Sequence, residues 1–311
     1  MDPVDLIEKG KIKRFFRSRN KLNVPKLVYH ITQRAAGKEA LFLENDDYMA
    51  MLALMKDNCH NHNIQMYAFC LMPNHLHFLL SPLQENLPEA MKNLFSKYAV
   101  RFNKKYERKG HLFAGPYRQA TILEDSYLLA ASLYIHLNPV RAGLASDPIV
   151  YRWSSARLYV KRSSRKSFVD EGYILGVLEH GVGAKAKRAR ELYADLLERG
   201  SDITPGEVLE QPEAIEGFHR GLLNTFPSVF GGIRGGRRAI GDLGLELESI
   251  TEIEKKIEEL NKAERPLSPE TRRAKKYLIE QLLARGFQKK EIAEKLGVSR
   301  KTVYNILRRS Y

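Results

Sequence analysis

With 311 residues, 43% of them hydrophobic and 28% charged, the chain is long enough to bury a sizeable core in two or more domains, and global disorder is excluded. Its 51 Lys and Arg against 37 Asp and Glu give a formal charge of +14, which favours polyanionic partners through counterion release. Cys59 and Cys70 are too few for a disulfide framework or a cysteine zinc site, no apolar run reaches membrane-spanning length, and the first residues do not read as a signal peptide. A reduced, cytoplasmic protein without membrane contact is expected.

In chain order, 27–34 reads as a strand and 45–61 as a helix with Tyr48, Leu52 and Met55 on one side. Residues 64–70 and 74–80 read as strands joined by the short turn at Met72-Pro73. A long helix follows over 87–108, with Leu94, Tyr98 and Phe102 along one face, and then a strand over 117–123. The interleaving predicts an α+β fold in which an antiparallel sheet carries helices on one face.

Within the second hairpin strand, Pro73-Asn74-His75-Leu76-His77-Phe78-Leu79-Leu80 holds two histidines two apart. In a strand they share a face, and imidazole is a common ligand of divalent ions. The plainer reading is two polar residues on a solvated sheet face.

The segment ending in Tyr134-Ile135-His136-Leu137-Asn138-Pro139-Val140-Arg141-Ala142-Gly143-Leu144 reads as a helix. Asp125 and Ser126 are candidate caps, and Leu129, Leu133 and Leu137 form a core stripe. Pro139 disfavours helix at Asn138, and Gly143 is a C-terminal breaker. Tyr134 and Asn138 share the face beside the stripe, which puts the hydroxyl at the edge of a core. His136 lies about 200° around the helix from Tyr134 and is the weaker candidate. An ordinary half-buried tyrosine and an asparagine stop is the plainer reading here.

Taken jointly, these stretches resemble the single-tyrosine HUH transposases, specifically the REP-associated tyrosine transposase family, over residues 24–160. Val28-Tyr29-His30-Ile31-Thr32-Gln33-Arg34 resembles that family's first strand and 67–77 its metal strand. Gly110-His111-Leu112-Phe113-Ala114-Gly115-Pro116-Tyr117-Arg118 is similar to its connection, and Tyr151-Arg152-Trp153-Ser154-Ser155 to the sequel of its tyrosine helix. Ala114 and Pro116 depart from the Gln and basic residue more usual there, which removes a phosphate contact near Tyr117 and Arg118.

The resemblance implies an HUH-nuclease-like, ferredoxin-like fold and metal-dependent cleavage and rejoining of single-stranded DNA, with hairpin-forming repeats as substrate. Tyr134 would be the nucleophile, forming a 5′-phosphotyrosine. His75, His77 and Asn138 would hold Mg²⁺ or Mn²⁺, and Arg118 and Arg141 would contact DNA. A non-catalytic DNA-binding regulator with a relic nuclease domain, and a hydrolase using activated water, are the alternatives.

Residues 161–265 are less legible: a basic linker from Arg162 to Ser167, helical solvent-facing segments at 191–199 and 252–260, and a Gly-rich loop, 231–244, containing Gly235-Gly236-Arg237-Arg238. Residues 266–311 resemble a helix-turn-helix. Ile292, Ala293 and Leu296 form an inner face, Gly297 a turn, Val298 a plug, Ser299 a cap, and Val303, Ile306 and Leu307 anchor the second helix. Arg300, Lys301, Thr302 and Asn305 then point outward, as a major-groove reader of duplex DNA requires. A helix from Thr271 with Ala274, Leu278 and Leu282 completes the unit, and 270–311 holds twelve Lys or Arg against four acidic residues.

Overall fold

A computed structural model describes residues 15–16, 21, 23–37, 39–122, 124–162, 166–183, 186–203, 212–233, 250–262, 269–284 and 289–308. The loop residues Gly235–Arg238, Ser163–Arg165 of the basic linker, Leu123, Phe287, Gln288 and Arg309 lie outside the described residues.

The N-terminal half is built from β1 (Phe15–Phe16), β2 (Val28–Arg34), α1 (Asn45–Asn61), β3 (Ile64–Leu71), β4 (His75–Pro82), α2 (Leu87–Lys105), β5 (Arg118–Ile122) and α3 (Asp125–Arg141). The sheet order is β1-β5-β2-β4-β3, every pair antiparallel. From β2 to β5 this is the βαββαβ arrangement of ferredoxin-like folds. The two-residue β1 is a strand that the sequence pattern does not reveal. At the other edge, Trp153 and Ser155 close β3, with Leu71 N–H donating to Trp153 O at 2.9 Å and Ser155 N–H to Phe69 O at 3.0 Å.

Alternation along the strands divides the core in two. Tyr29, Ile31, Leu76, Phe78 and Leu80 face α1 and α2 and join Met51, Met55, Leu94 and Tyr98. Val28, Ala68, Cys70 and Leu79 face the other way, onto α3. Helices therefore cover both faces, where the sequence pattern predicts one. The second cover comes from outside the βαββαβ unit: α3, then α4 (Ala156–Val160), α5 (Glu171–Gly181), α6 (Ala186–Gly200), α7 (Pro212–Thr225) and α8 (Pro227–Ile233). Residues 191–199 are thus not solvent-facing throughout, because Tyr193, Leu196 and Leu197 are buried in the α3 cluster.

The start of α3 also differs from expectation. Glu124, not Asp125 or Ser126, holds the N-cap position, without a side-chain cap. Pro139 does not stop the helix, which runs to Arg141. Proline gives up the bond its missing N–H would make to the carbonyl four residues back and crowds that carbonyl, and the surrounding burial holds the turn. Leu144 N–H then donates to Pro139 O at 2.8 Å across Gly143, whose φ of +66° closes the helix as a left-handed C-terminal glycine.

The C-terminal unit comprises α9 (Ile250–Lys262), α10 (Pro269–Ala284), α11 (Lys289–Lys295) and α12 (Arg300–Arg308). Leu278, Leu282, Ile292, Leu296, Val303 and Ile306 form its core. Gly297 takes φ +59°, and Ser299 Oγ accepts from Thr302 N–H at 3.0 Å, which caps α12. Helix α9 is not solvent-facing on all sides either: Ile253 and Ile257 are buried, and Asn261 Nδ2 donates to Lys295 O at 3.2 Å. No helix among the described residues is long and apolar enough to cross a membrane.

Candidate active site

The site lies on the sheet face covered by α3. The antiparallel register sets Thr32 across from His77 and Arg34 across from His75, while Arg118 of β5 lies across from Thr32. Alternation then puts His30, Thr32, Arg34, His75, His77 and Arg118 on one face.

The His75 and His77 rings meet edge to face, centroids 5.0 Å apart. His75 Nδ1 is 2.8 Å from Asn74 Oδ1. An amide oxygen only accepts, so His75 Nδ1 is the donor in this contact. His77 Nδ1 is 2.9 Å from His30 Nε2 and 3.3 Å from Thr32 Oγ1. His77 Nε2 is buried and makes no hydrogen bond among the described residues. Burial holds His77 well below the ordinary imidazole range, with the charges of His75 and His30 adding to the effect. Burial also pushes His30 down to about 4. At neutral pH the His77 and His30 rings are uncharged, the form that ligates metal.

Tyr134 projects from α3 onto this pair. Its ring stands edge-on to His77 with centroids 6.1 Å apart, and the residue is 1% exposed. The sequence pattern puts its hydroxyl at the edge of a core. In the structure Phe218 of α7 covers the ring, centroids 6.1 Å apart. Asn138, one turn on, is buried and donates Nδ2 to the Tyr134 carbonyl at 3.1 Å, which leaves Oδ1 as its acceptor atom.

Arg141 is placed inward. Its guanidinium carbon lies 5.4 Å from the Tyr134 ring centre and 4.2 Å from that of Phe218. Nη2 donates to the carbonyls of Gly200 and Ile203 at 3.5 and 3.4 Å, whereas Nε and Nη1 are buried without a hydrogen-bond partner among the described residues. Burial pulls this guanidinium down to about 10, against the opposing pull of Tyr134. Arg118 is exposed at the rim of the same face.

Two neighbouring groups are accounted for by structure alone. His136, on the far side of α3, has both ring nitrogens engaged: Nδ1 lies 2.8 Å from Tyr193 Oη and Nε2 2.8 Å from Ser155 Oγ. Glu44, Asp46 and Asp47 gather their carboxylates at the start of α1. Lys105 Nζ pairs with all three, and Asp47 accepts from the Leu43 and Glu44 amides, so this cluster is a helix cap with its counter-ion.

In the C-terminal unit, Arg300, Lys301 and Asn305 are exposed. Thr302 is half-buried, its hydroxyl 2.8 Å from Ser299 Oγ, so it serves the cap as well as the outer face.

The structure thus brings His75, His77 and Tyr134 together, with Asn138 and Arg141 following on the same helix. His30, Thr32, Arg34 and Phe218 are additions that the sequence pattern does not single out. The alternation of His30, Thr32 and Arg34 along β2 was the available signal, but it acquires meaning only with the register.

Residues 23–138 match the family described as Transposase IS200 like, and residues 270–310 match the Homeodomain-like domain. The comparison with curated proteins finds no match. Among solved structures, that of a REP-associated tyrosine transposase bound to a REP hairpin is similar at 12% identity, covering 50% of this chain and 93% of the other with a TM-score of 0.41.

Proposed function

We propose that this chain, whose residues 23–138 match the IS200-like transposases, cleaves and rejoins single-stranded DNA through a 5′-phosphotyrosine on Tyr134. The observation that carries this reading is the pair of histidines facing the tyrosine ring, one with a buried Nε2 that no described residue satisfies. A buried polar atom left unpaired is costly, and such atoms gather where a ligand completes them.

The donor set fits a divalent cation. His75 Nε2 and His77 Nε2 are the ligand nitrogens, and Asn138 Oδ1 is a third, oxygen ligand of the kind Mg²⁺ or Mn²⁺ accepts beside water and phosphate. When bound, the ion withdraws charge from the phosphate oxygens. His30 and Thr32 hold His77 through Nδ1, the arrangement that fixes a ligating imidazole.

The Tyr134 oxygen attacks the phosphorus. The Oη–P bond forms, the P–O3′ bond breaks, the phenol proton passes to solvent, and the departing 3′ oxygen takes up a proton. The diester's bond energy stays in the phosphotyrosine, so rejoining by a 3′-hydroxyl needs no nucleotide cofactor. Arg141 sits beside the ring with two donors unsatisfied among the described residues and stabilises negative charge as it develops there. Phe218 covers Tyr134, so a DNA strand reaches the hydroxyl only after α7 shifts.

Residues 1–160 supply the chemistry, and residues 266–311 add duplex affinity through Arg300, Lys301, Thr302 and Asn305. Hairpin-forming repeats suit both parts, since one molecule offers a single strand and a duplex. With DNA as the substrate, the work is cytoplasmic.

The test is covalent trapping on single-stranded DNA followed by peptide mapping. A 5′-phosphate adduct on Tyr134, absent in Tyr134→Phe and in EDTA, is expected. Free 5′-phosphate products without an adduct would replace this mechanism with water-mediated hydrolysis. DNA binding without any cleavage would leave a regulator.

A further inference from the structure

On the sheet face away from the histidines, a groove of about 550 Å³ runs between α2 and the 110–117 connection. Its floor is aromatic. The Phe95 and Phe113 ring centroids are 5.3 Å apart, and Phe95 and Tyr117 are 6.2 Å apart. The Tyr117 hydroxyl is buried without a hydrogen-bond partner among the described residues. Lys21 Nζ stands 3.3 Å from the centre of the Tyr117 ring, and Lys92 is exposed on the α2 side. No carboxylate among the described residues lines the groove.

This groove and the histidine site share one end of the sheet. Gln33 lines the groove, while its neighbour Thr32 faces His77; Tyr117 lines it, while its neighbour Arg118 faces the site. Arg34 and Arg118 are both exposed at that end. A polyanionic strand leaving the tyrosine therefore meets a cationic edge before it reaches the groove.

We propose that this groove is a nucleobase pocket, holding one unpaired base of the DNA strand whose phosphodiester is presented to Tyr134; the proposal rests on the single-strand chemistry above. The aromatic floor supplies a stacking surface that any base can use. Lys21 and Lys92 meet the flanking phosphates. Burial lowers Lys21 to about 8, so it is a lysine short of solvation that a phosphate would satisfy. The volume falls within the range of small-molecule sites.

The test uses the full chain carrying Tyr134→Phe, in EDTA, so that no cleavage occurs. Fluorescence anisotropy compares decathymidylate with an abasic strand of equal length and charge. Decathymidylate should bind about tenfold tighter, the scale of one stacked base. Ala114→Trp, an exposed position at the groove, should erase that preference and leave abasic-strand affinity unchanged. Lys92→Gln should weaken both strands alike. Ultraviolet cross-links from decathymidylate should map to Phe113 or Tyr117. Equal affinity for the two strands, or a preference that survives Ala114→Trp, would overturn the pocket. Adduct formation by the Tyr134 chain is scored separately. An adduct with no base preference rejects the pocket and keeps the chemistry, whereas a base preference abolished by Ala114→Trp with no adduct keeps the pocket and rejects the chemistry.

Discussion

From Asp125 to Pro139 every residue of α3 is buried, whereas α12 buries Val303 and Ile306 and turns Arg300, Lys301, Tyr304 and Asn305 to solvent. Both helices act on DNA in the proposed function. The difference separates two ways of using a helix. In α3, packing on both sides fixes the Tyr134 ring against His77, which is what positioning chemistry requires. In α12, one apolar edge holds the helix and the remaining surface is left exposed, the form that the proposed contact with phosphates and base edges requires. Substitution in α3 should therefore change cleavage with little effect on affinity, and substitution in α12 the reverse.

The strongest challenge to that division is removal of a histidine. His77→Ala and His75→Ala should each abolish adduct formation and weaken Mn²⁺ binding, while DNA affinity, dominated by phosphate electrostatics, changes little. Calorimetry with Mn²⁺ and anisotropy with DNA measure the two effects. A parallel loss of DNA affinity would show that the histidine face binds DNA as well as performing chemistry. A smaller effect is expected one residue removed. His30 lies against His77 Nδ1, behind the proposed ligand, so His30→Ala should lower Mn²⁺ affinity about 10- to 100-fold, as outer partners of ligating histidines do. His30→Gln, which keeps an acceptor near His77 Nδ1, should recover part of that affinity. Failure of the glutamine to rescue would assign His30 to packing.

Legibility in the sequence follows the same line. The β2-to-α3 elements could be read because periods of two and of three to four are strong over 27–141, and because the two histidines sit within one strand. His30 was not legible as a site residue: only the pairing of Tyr29 through Arg34 with Leu80 through His75 brings it to His77. The cover on α3 was hidden for another reason. Helix α6 is rich in Lys, Arg and Glu, and the four residues that matter, Ala189, Tyr193, Leu196 and Leu197, look sparse until α3 is found to be buried on all sides of a largely apolar surface. Its full burial also corrects the expectation of a single leucine stripe. A chain ending near residue 165 would strip α5 to α8 from that apolar surface, so the full chain is the form to test.

For α12 the expected effects are moderate and electrostatic. Deleting 267–311 should weaken duplex binding and flatten its salt dependence. Arg300→Ala with Lys301→Ala should reproduce part of this, lowering the slope of log affinity against log salt by about 0.7–0.9 for each phosphate that the protein no longer neutralises. Adduct yield at saturating protein should stay constant. A double variant with an unchanged salt slope would remove α12 from the DNA interface.

The smallest effect sharpens the contrast from the folding side. Ser299 Oγ accepts from the Thr302 amide at 3.0 Å and lies 2.8 Å from the Thr302 hydroxyl, so one side chain both starts α12 and orients a residue of its outer face. Ser299→Ala should cost about 1 kcal/mol of C-terminal stability, the usual value of an N-cap. Ser299→Asp keeps an acceptor and should restore that stability, yet it adds negative charge beside Arg300 and Lys301. The two variants therefore part company. Denaturant unfolding should rank alanine below aspartate, whereas duplex affinity should rank aspartate below alanine. Cleavage of a single strand should be indifferent to both, because α3 owes its order to the sheet and to α5–α8. If aspartate bound duplex as well as serine does, the start of α12 would not face the phosphates, and the outward reading of Arg300 and Lys301 would fail with it.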